Sequence, residues 1–339
     1  MGISLAAVSL KLLPANRQKF EDFLVFSRGG SPSDKENFVL LTKELKESFK
    51  PHNLLLTSAI GASKNTIDQA YDVKQLSKYL DFLHIMCYDY GGAWDQRVTA
   101  NAPLTADGVL SVEFTLDYLV KLGAPPSKLV MGLPFYGRTF VTKQAGNFED
   151  PADSVGFQGG YTRENGFMGY NEICVMVSNK TNGWTKSWDG GTAQALAKFR
   201  DEAKGETKVV VYDSTRSIAN KLRFAMRHNL AGAMVWSVDT DDFHGDCESD
   251  SDTYADFKAR PGVKLSLPKR INLNYGLLRT INEATIVALE EIEQEANIEE
   301  EVEDNVIPHG DDESPSIARN LGASVTLIFS LSFLRLIRF

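Results

Sequence analysis

The sequence predicts an α/β fold: an incomplete TIM-type barrel of parallel strands covered by helices, with a small inserted α+β lobe and an acidic tail. Three observations predict it. Continuous apolar runs, the mark of strands buried on both faces, recur between amphipathic helical stretches. Polar and aromatic residues gather just after those runs, where parallel sheets place their sites. Only four such runs are readable in the core, and four strands cannot close a barrel of eight. An open doubly wound sheet satisfies the alternation too, but its phosphate-binding glycine turn is absent, which favours the barrel.

Taken in order, Ala15–Phe26 reads as a short amphipathic helix with Phe20, Phe23, Leu24 and Phe26 clustered. Gly29–Pro32 breaks it. Ser33-x-x-Glu36 predicts a capping box that opens a second helix, running to about Phe49. Leu54–Ile60 and Phe82–Met86 read as buried strands, the second entered from a helix over Val73–Tyr79. A helix over Val112–Leu122 stops at Gly123-Ala-Pro-Pro126, and Leu129–Leu133 is a third strand. A helix over Ser217–His228 leads to a fourth strand, Gly232–Val238. Between 140 and 212 the alternation fails. That stretch holds ten glycines and the aromatics Phe148, Phe157, Tyr161, Phe167, Tyr170, Trp184 and Trp188. It predicts a lobe forming one wall of a cleft, closed by a strand at Val209–Tyr212. One strand is missing: Phe26 runs into Ser27-Arg-Gly-Gly-Ser-Pro32 and another helix, where a β/α repeat requires a strand between.

These spans divide the chain into a helix remnant over 1–26, barrel and lobe over 27–262, an acidic stalk or linker over 263–320 and a hydrophobic tail over 321–339. Residues 283–313 are acid-rich and lack Phe, Tyr and Trp, so a solvated or partly helical stalk is expected there. Leu321–Leu334 is short of the roughly 20 residues of a spanning helix. It suits the removable tail of a lipid-anchor signal, with Ser314 and Ser316 upstream, or else a buried terminal helix. Met1–Leu10 lacks a basic region and a cleavage site, so it is not convincing as a signal peptide.

The 339 residues carry 36 basic and 45 acidic side chains, a net charge of −9, which argues against a nucleic-acid partner. Cys87, Cys174 and Cys247 form no C-x-x-C pair, and the five histidines form no zincin pair, so no metal is expected. With no P-loop, no G-x-G-x-x-G and no G-x-S-x-G, no cofactor is expected either. What remains is Met86-Cys-Tyr88-Asp89-Tyr90-Gly-Gly-Ala-Trp94 at one strand end, Tyr136 with Arg138 after the next, and Trp236 with Asp239 at the last. Sugar rings present apolar faces and hydroxyl edges, so their sites want flat aromatics and carboxylates. The plainer alternative is that Tyr88 and Trp236 are core aromatics and Asp89 caps a helix.

Met86-x-Tyr88-Asp89, Gly132-Leu-Pro-Phe-Tyr136-Gly-Arg138 and Gly232-Ala-Met-Val-Trp236-Ser-Val-Asp239-Thr-Asp241-Asp242-Phe-x-Gly245 closely resemble glycoside hydrolase family 18, the chitinases and chitinase-like lectins. Tyr161-Thr-x-Glu164-x-Gly-Phe167 and Tyr170-Asn-Glu-Ile-Cys174 resemble its inserted lobe. The resemblance runs from about Ser9 to Asp256 and has the wording of an arthropod chitinase. It implies an eight-stranded barrel that cleaves β-1,4-linked N-acetylglucosamine polymers with retention, the substrate's own acetamido oxygen acting as nucleophile. By this resemblance Met86, Tyr88 and Asp89 form the sugar-distorting subsite, with Tyr88 on the acetamido oxygen. Trp236 is the floor, Trp94 a stacking platform, and Tyr136 and Arg138 contact the sugar or its neighbour. Cys174 and Cys247 match a bridged pair, while Cys87 is expected to be a free, buried thiol. With a sequon at Asn179-Lys-Thr181, the resemblance implies an extracellular or cell-surface protein whose partners are chitin or chito-oligosaccharides.

One family element is absent. The D-x-x-D-x-D-x-E strand, whose glutamic acid protonates the leaving oxygen, belongs between Phe26 and Ser27, the place where the β/α repeat lacks its strand. Neither Glu21 and Asp22 nor Asp34 and Glu36 end a strand, so no substitute acid is evident. The chain is therefore expected not to hydrolyse chitin, and to associate with itself through unpaired sheet edges. Three readings stand: a shortened form of a hydrolysing parent, a non-catalytic chitin lectin or signalling protein, and a damaged barrel without function.

Overall fold

The computed structural model describes residues 31–247 and 274–306. The helix expected over 15–26, the Phe26–Ser27 junction and the tail over 321–339 lie outside them. Two sheets organise the described residues. The first is parallel, in the order β1 (Thr57–Gly61), β2 (Phe82–Met86), β3 (Leu129–Pro134) and β9 (Gly232–Trp236). Helices α1 (Asp34–Phe49), α2 (Lys64–Ala70), α3 (Val73–Tyr79), α4 (Val112–Lys121) and α6 (Thr215–Arg227) alternate with it, giving the barrel-type unit. The sheet does not close: among the described residues β1 and β9 are its edges.

Burial follows position in the sheet. All six residues of β3 are buried, and none of the five in β9 is. Helices cover the sheet with apolar stripes, as α4 does with Val112, Leu116 and Leu119. Each fully buried Leu of this kind contributes about 1.5–3 kcal/mol. Gly132 is required by close approach: a Cβ there would sit 2.4 Å from the Ile85 carbonyl oxygen and 3.1 Å from the Tyr88 ring.

The strands over 82–86 and from Leu129 stand where the apolar runs put them. The first strand differs. Leu54 and Leu55 are exposed, because the Lys50–His52 turn ends in left-handed Asn53, and the Leu56 amide donates to Asp81 instead of a ladder. The Ser33 capping box does not form: Ser33 is itself helical, and the Asp34 carboxylate accepts a hydrogen bond from the Ser31 amide at 2.6 Å.

The second sheet is antiparallel and lies within Tyr136–Tyr212. Its order is β5 (Phe167–Gly169), β4 (Tyr136–Thr142), β8 (Glu206–Tyr212), β7 (Gln194–Asp201) and β6 (Thr185–Asp189). Helix α5 (Tyr170–Ser178) packs on β4 and β5.

Of the two forms expected of the acidic segment, solvated or partly helical, the described part is helical and packed. It forms α7 (Gly276–Val306), which buries Leu277, Ile281, Ala284 and Ala288 along one face. Arg223 and Arg227 of α6 make two-pronged ion pairs to Glu291 and Glu295, with every N–O distance 2.8 or 2.9 Å. The Asp241 carboxylate, just beyond β9, accepts the first amides of α7 from Leu277 and Leu278 at 3.1 and 2.9 Å. Cys174 on α5 is bonded to Cys247 beyond β9, so a disulfide ties the lobe to the last strand's loop. No helix among the described residues is long and apolar enough to cross a membrane.

Candidate functional site

The aromatic and acidic residues singled out by sequence meet where β2 and β3 end and the lobe begins. Beyond β2, Asp89 adopts a left-handed backbone, φ 59°, a conformation that Asp tolerates better than most residues. There its Oδ1 accepts three hydrogen bonds: from the Tyr136 hydroxyl at 2.7 Å, from Arg138 Nε at 2.9 Å and from Arg138 Nη2 at 2.6 Å. Asp89 therefore faces β4 rather than capping a helix. The pair is charge-assisted and two-pronged on the arginine side.

Aromatic rings enclose that polar centre. Trp94 and Phe167 flank the Arg138 guanidinium, with ring centroids 4.9 and 5.4 Å away. Tyr136 stacks on Phe167 at 4.4 Å, and Tyr88 meets Tyr136 edge-on at 6.0 Å. Burial, and after it the charge of Asp89, holds the Tyr136 and Tyr88 hydroxyls well above the ordinary tyrosine range. Both are neutral donors at physiological pH. Trp94 and Trp236 stand out of the core, 52% and 57% exposed, too open for core packing. Trp236 joins the group through the backbone, its carbonyl accepting the Phe135 amide at 2.8 Å and its peptide bond to Ser237 being cis. Met86 ends β2 beside this cluster, half-buried and pairing in register with Gly61.

Sequence reasoning missed the supports beneath. Asn101 is fully buried and bonds both Asp89 and Tyr136. Deeper still, Lys221 of α6 pairs with Asp213 at 2.6 and 2.8 Å, both side chains wholly buried. Burial raises the Asp213 carboxyl and lowers the Lys221 ammonium, and each charge partly offsets the other's cost. An acid at the end of a strand with a lysine on the helix that follows was the available sequence signal. Asp34, weighed as a replacement acid, sits at the start of α1, occupied by the Ser31 amide. Cys87 is a free buried thiol, as expected. Among the described residues, one grouping of metal-ligand atoms is close enough for an ion, Cys174, Asp242 and Cys247, and its two sulfurs are bonded to each other. Asn179 is exposed at the end of α5.

Chemically this is a cleft edge with two standing indoles, a clamped guanidinium and two phenol donors, suited to a flat, polyhydroxylated ligand. The family model described as glycosyl hydrolases family 18 matches residues 18–241. Probable chitinase 2 of Drosophila melanogaster is 59% identical over 90% of this chain and 63% of that protein. The crystal structure of the Ostrinia furnacalis group IV chitinase with allosamidin is similar at 35% identity and TM-score 0.64, over 77% of this chain and 64% of that one. Human YKL-39, described as a pseudo-chitinase with retained chitooligosaccharide binding, is similar at 27% identity and TM-score 0.62, over 75% of this chain and 65% of that one. The chain thus spans less than two thirds of each of these relatives.

Proposed function

The chain belongs to glycosyl hydrolases family 18, and from that premise we propose that it binds chitin or N-acetylglucosamine oligomers without cleaving them. One observation carries the proposal. The Asp89–Tyr136–Arg138 centre is assembled between its aromatic rings, while the sequence passes from Phe26 to Ser27 without the D-x-x-D-x-D-x-E segment. In this reading Trp236 and Trp94 stack against sugar faces, Tyr88 donates to an acetamido oxygen, and Asp89, Tyr136 and Arg138 fix the adjoining hydroxyls. Met86 packs against the distorted ring. Hydrolysis of β-1,4 linkages by substrate-assisted retention requires a proton donor on the leaving oxygen, and none of the acids bordering the gap supplies one. Loss of a general acid alone removes about 10²–10⁴ in rate.

The test has two arms on the full chain. Chitin pull-down should retain it, and a fluorogenic N-acetylglucosamine oligomer should turn over at background rate. Turnover by this chain overturns the reading. A second reading, a shortened form of a hydrolysing parent, is supported by the 59% identity to a probable chitinase. It expects turnover to return once an acid-bearing strand is inserted between Phe26 and Ser27. The disulfide and the exposed Asn179 sequon support an extracellular or cell-surface setting. Two further parts of the proposal are a lipid anchor at 321–339, tested by phospholipase release, and self-association through β1 and β9, tested by sedimentation.

A further inference from the structure

We infer that Asn101 is the positioning residue of the cleft, the group that sets Asp89 and Tyr136 at the spacing a ligand meets. Its fully buried side chain uses both ends. Oδ1 accepts the Asp89 amide at 3.1 Å, and Nδ2 donates to the Tyr136 carbonyl at 3.4 Å. Its own carbonyl accepts the Tyr90 amide at 2.9 Å. One residue thereby ties the loop beyond β2 to the first residue of β4, across the seam between the parallel sheet and the lobe.

The tie matters because of the backbone at Asp89. A left-handed non-glycine residue persists only where its surroundings over-determine it. At φ 59° the Asp89 amide turns inward, and Asn101 Oδ1 is the acceptor that meets it. That rotation is the one that presents Oδ1 to the Tyr136 hydroxyl and to Arg138. Arg138, so held, lies 4.9 Å from the Trp94 ring.

Asn101 is itself anchored from behind. The next amide, of Ala102, donates to Gln194 Oε1 at 3.0 Å, and Gln194 Nε2 donates to Asp213 Oδ1 at 3.4 Å. Asp213 ends at Lys221. Gln194, Asp213 and Lys221 are all buried, so displacing the loop breaks bonds that water does not replace. The chain from Lys221 to Asp89 is continuous and crosses from helix α6 through the lobe strand β7 to the cleft.

The inference about ligand affinity rests on the sugar-binding reading, so the test includes a readout that does not. The full chain is labelled with ¹⁵N at tryptophan, and the Trp94 indole resonance reports whether Arg138 is in place. Asn101→Ala should move that resonance in the same direction as Arg138→Ala and Asp89→Ala. Added to Asp89→Ala, it should move it no further. Affinity for an N-acetylglucosamine tetramer should fall about tenfold, the effect of one buried acceptor lost to a polar partner. Unchanged Trp184 and Trp188 resonances show that the lobe is folded. A Trp94 resonance unmoved in folded Asn101→Ala overturns the inference. Should that variant fail to fold, Gln194→Ala takes its place: a smaller shift of the same sign supports the relay, and none overturns it. Absence of tetramer binding by the unsubstituted chain defeats the sugar reading alone, and Trp94 still decides the role of Asn101.

Discussion

The two sheets of this molecule solve the problem of unpaired edges differently. In the antiparallel lobe, β6, β7 and β8 follow one another in sequence and pair directly through short turns, Asp189 opposite Gln194 and Asp201 opposite Glu206. β4 joins that set through β8, and its own partner β5 is contributed within the same stretch. In the parallel sheet, β3 meets β9 only after the whole lobe has intervened, with Leu133 opposite Val235. Its outer members stay half-exposed: β1 buries Ile60 alone, and β9 buries no residue. Antiparallel pairing can be completed locally, whereas a parallel barrel is finished only by its most distant strands. Among the described residues the parallel sheet therefore stays open at β1 and β9, while the lobe's sheet is assembled within one stretch of chain.

Three variants test that contrast. The largest effect is expected at the seam. Lys221→Met leaves the Asp213 carboxylate buried without its cationic partner, at a cost of about 3–5 kcal/mol in urea unfolding. Amide exchange should quicken in β9 well before β7 and β8; equal loss in both sheets would break the comparison. Next is the bond between Cys174 and Cys247. Replacing both with Ser frees a loop spanning 73 residues and should lower stability by about 2–4 kcal/mol, with the loop beyond β9 losing protection first. The smallest concerns Cys87, whose thiol burial pushes up to about 12. A folded value above the unfolded one, about 8.5, gives stability that is complete below that pH and is lost as pH rises toward the folded value. Cys87→Ala should flatten the alkaline decline measured between pH 8.5 and 12. An unchanged slope would show that the parallel sheet opens to solvent before the thiol titrates.

Legibility in the sequence followed the same division. Phe82–Met86 and Val73–Tyr79 were readable to the residue because a continuous apolar run and a Asp72-capped helix leave one interpretation. The lobe yielded only its closing strand. Its others are short or rich in polar residues among glycines, a pattern shared by loops, as in Thr185–Asp189. Helix α7 was half legible: the composition allowed a partly helical stalk, but its glutamates masked the apolar stripe of Leu277, Ile281, Ala284 and Ala288 that packs it down. In the cleft, Tyr88, Asp89, Trp94, Tyr136, Arg138 and Trp236 announce themselves as aromatic and charged groups at strand ends. Asn101 does not, because one amide in a loop has no periodicity, and its importance appears only when the partners of its two ends are known.

The Asp241 carboxylate ties the start of α7 to the segment leaving β9, a short step along the chain from Trp236. A pull on the far end of α7 would be borne first by the ion pairs of Glu291 and Glu295 to α6, which shield the Asp241 tie, and the exposed indole beyond it, from mechanical load.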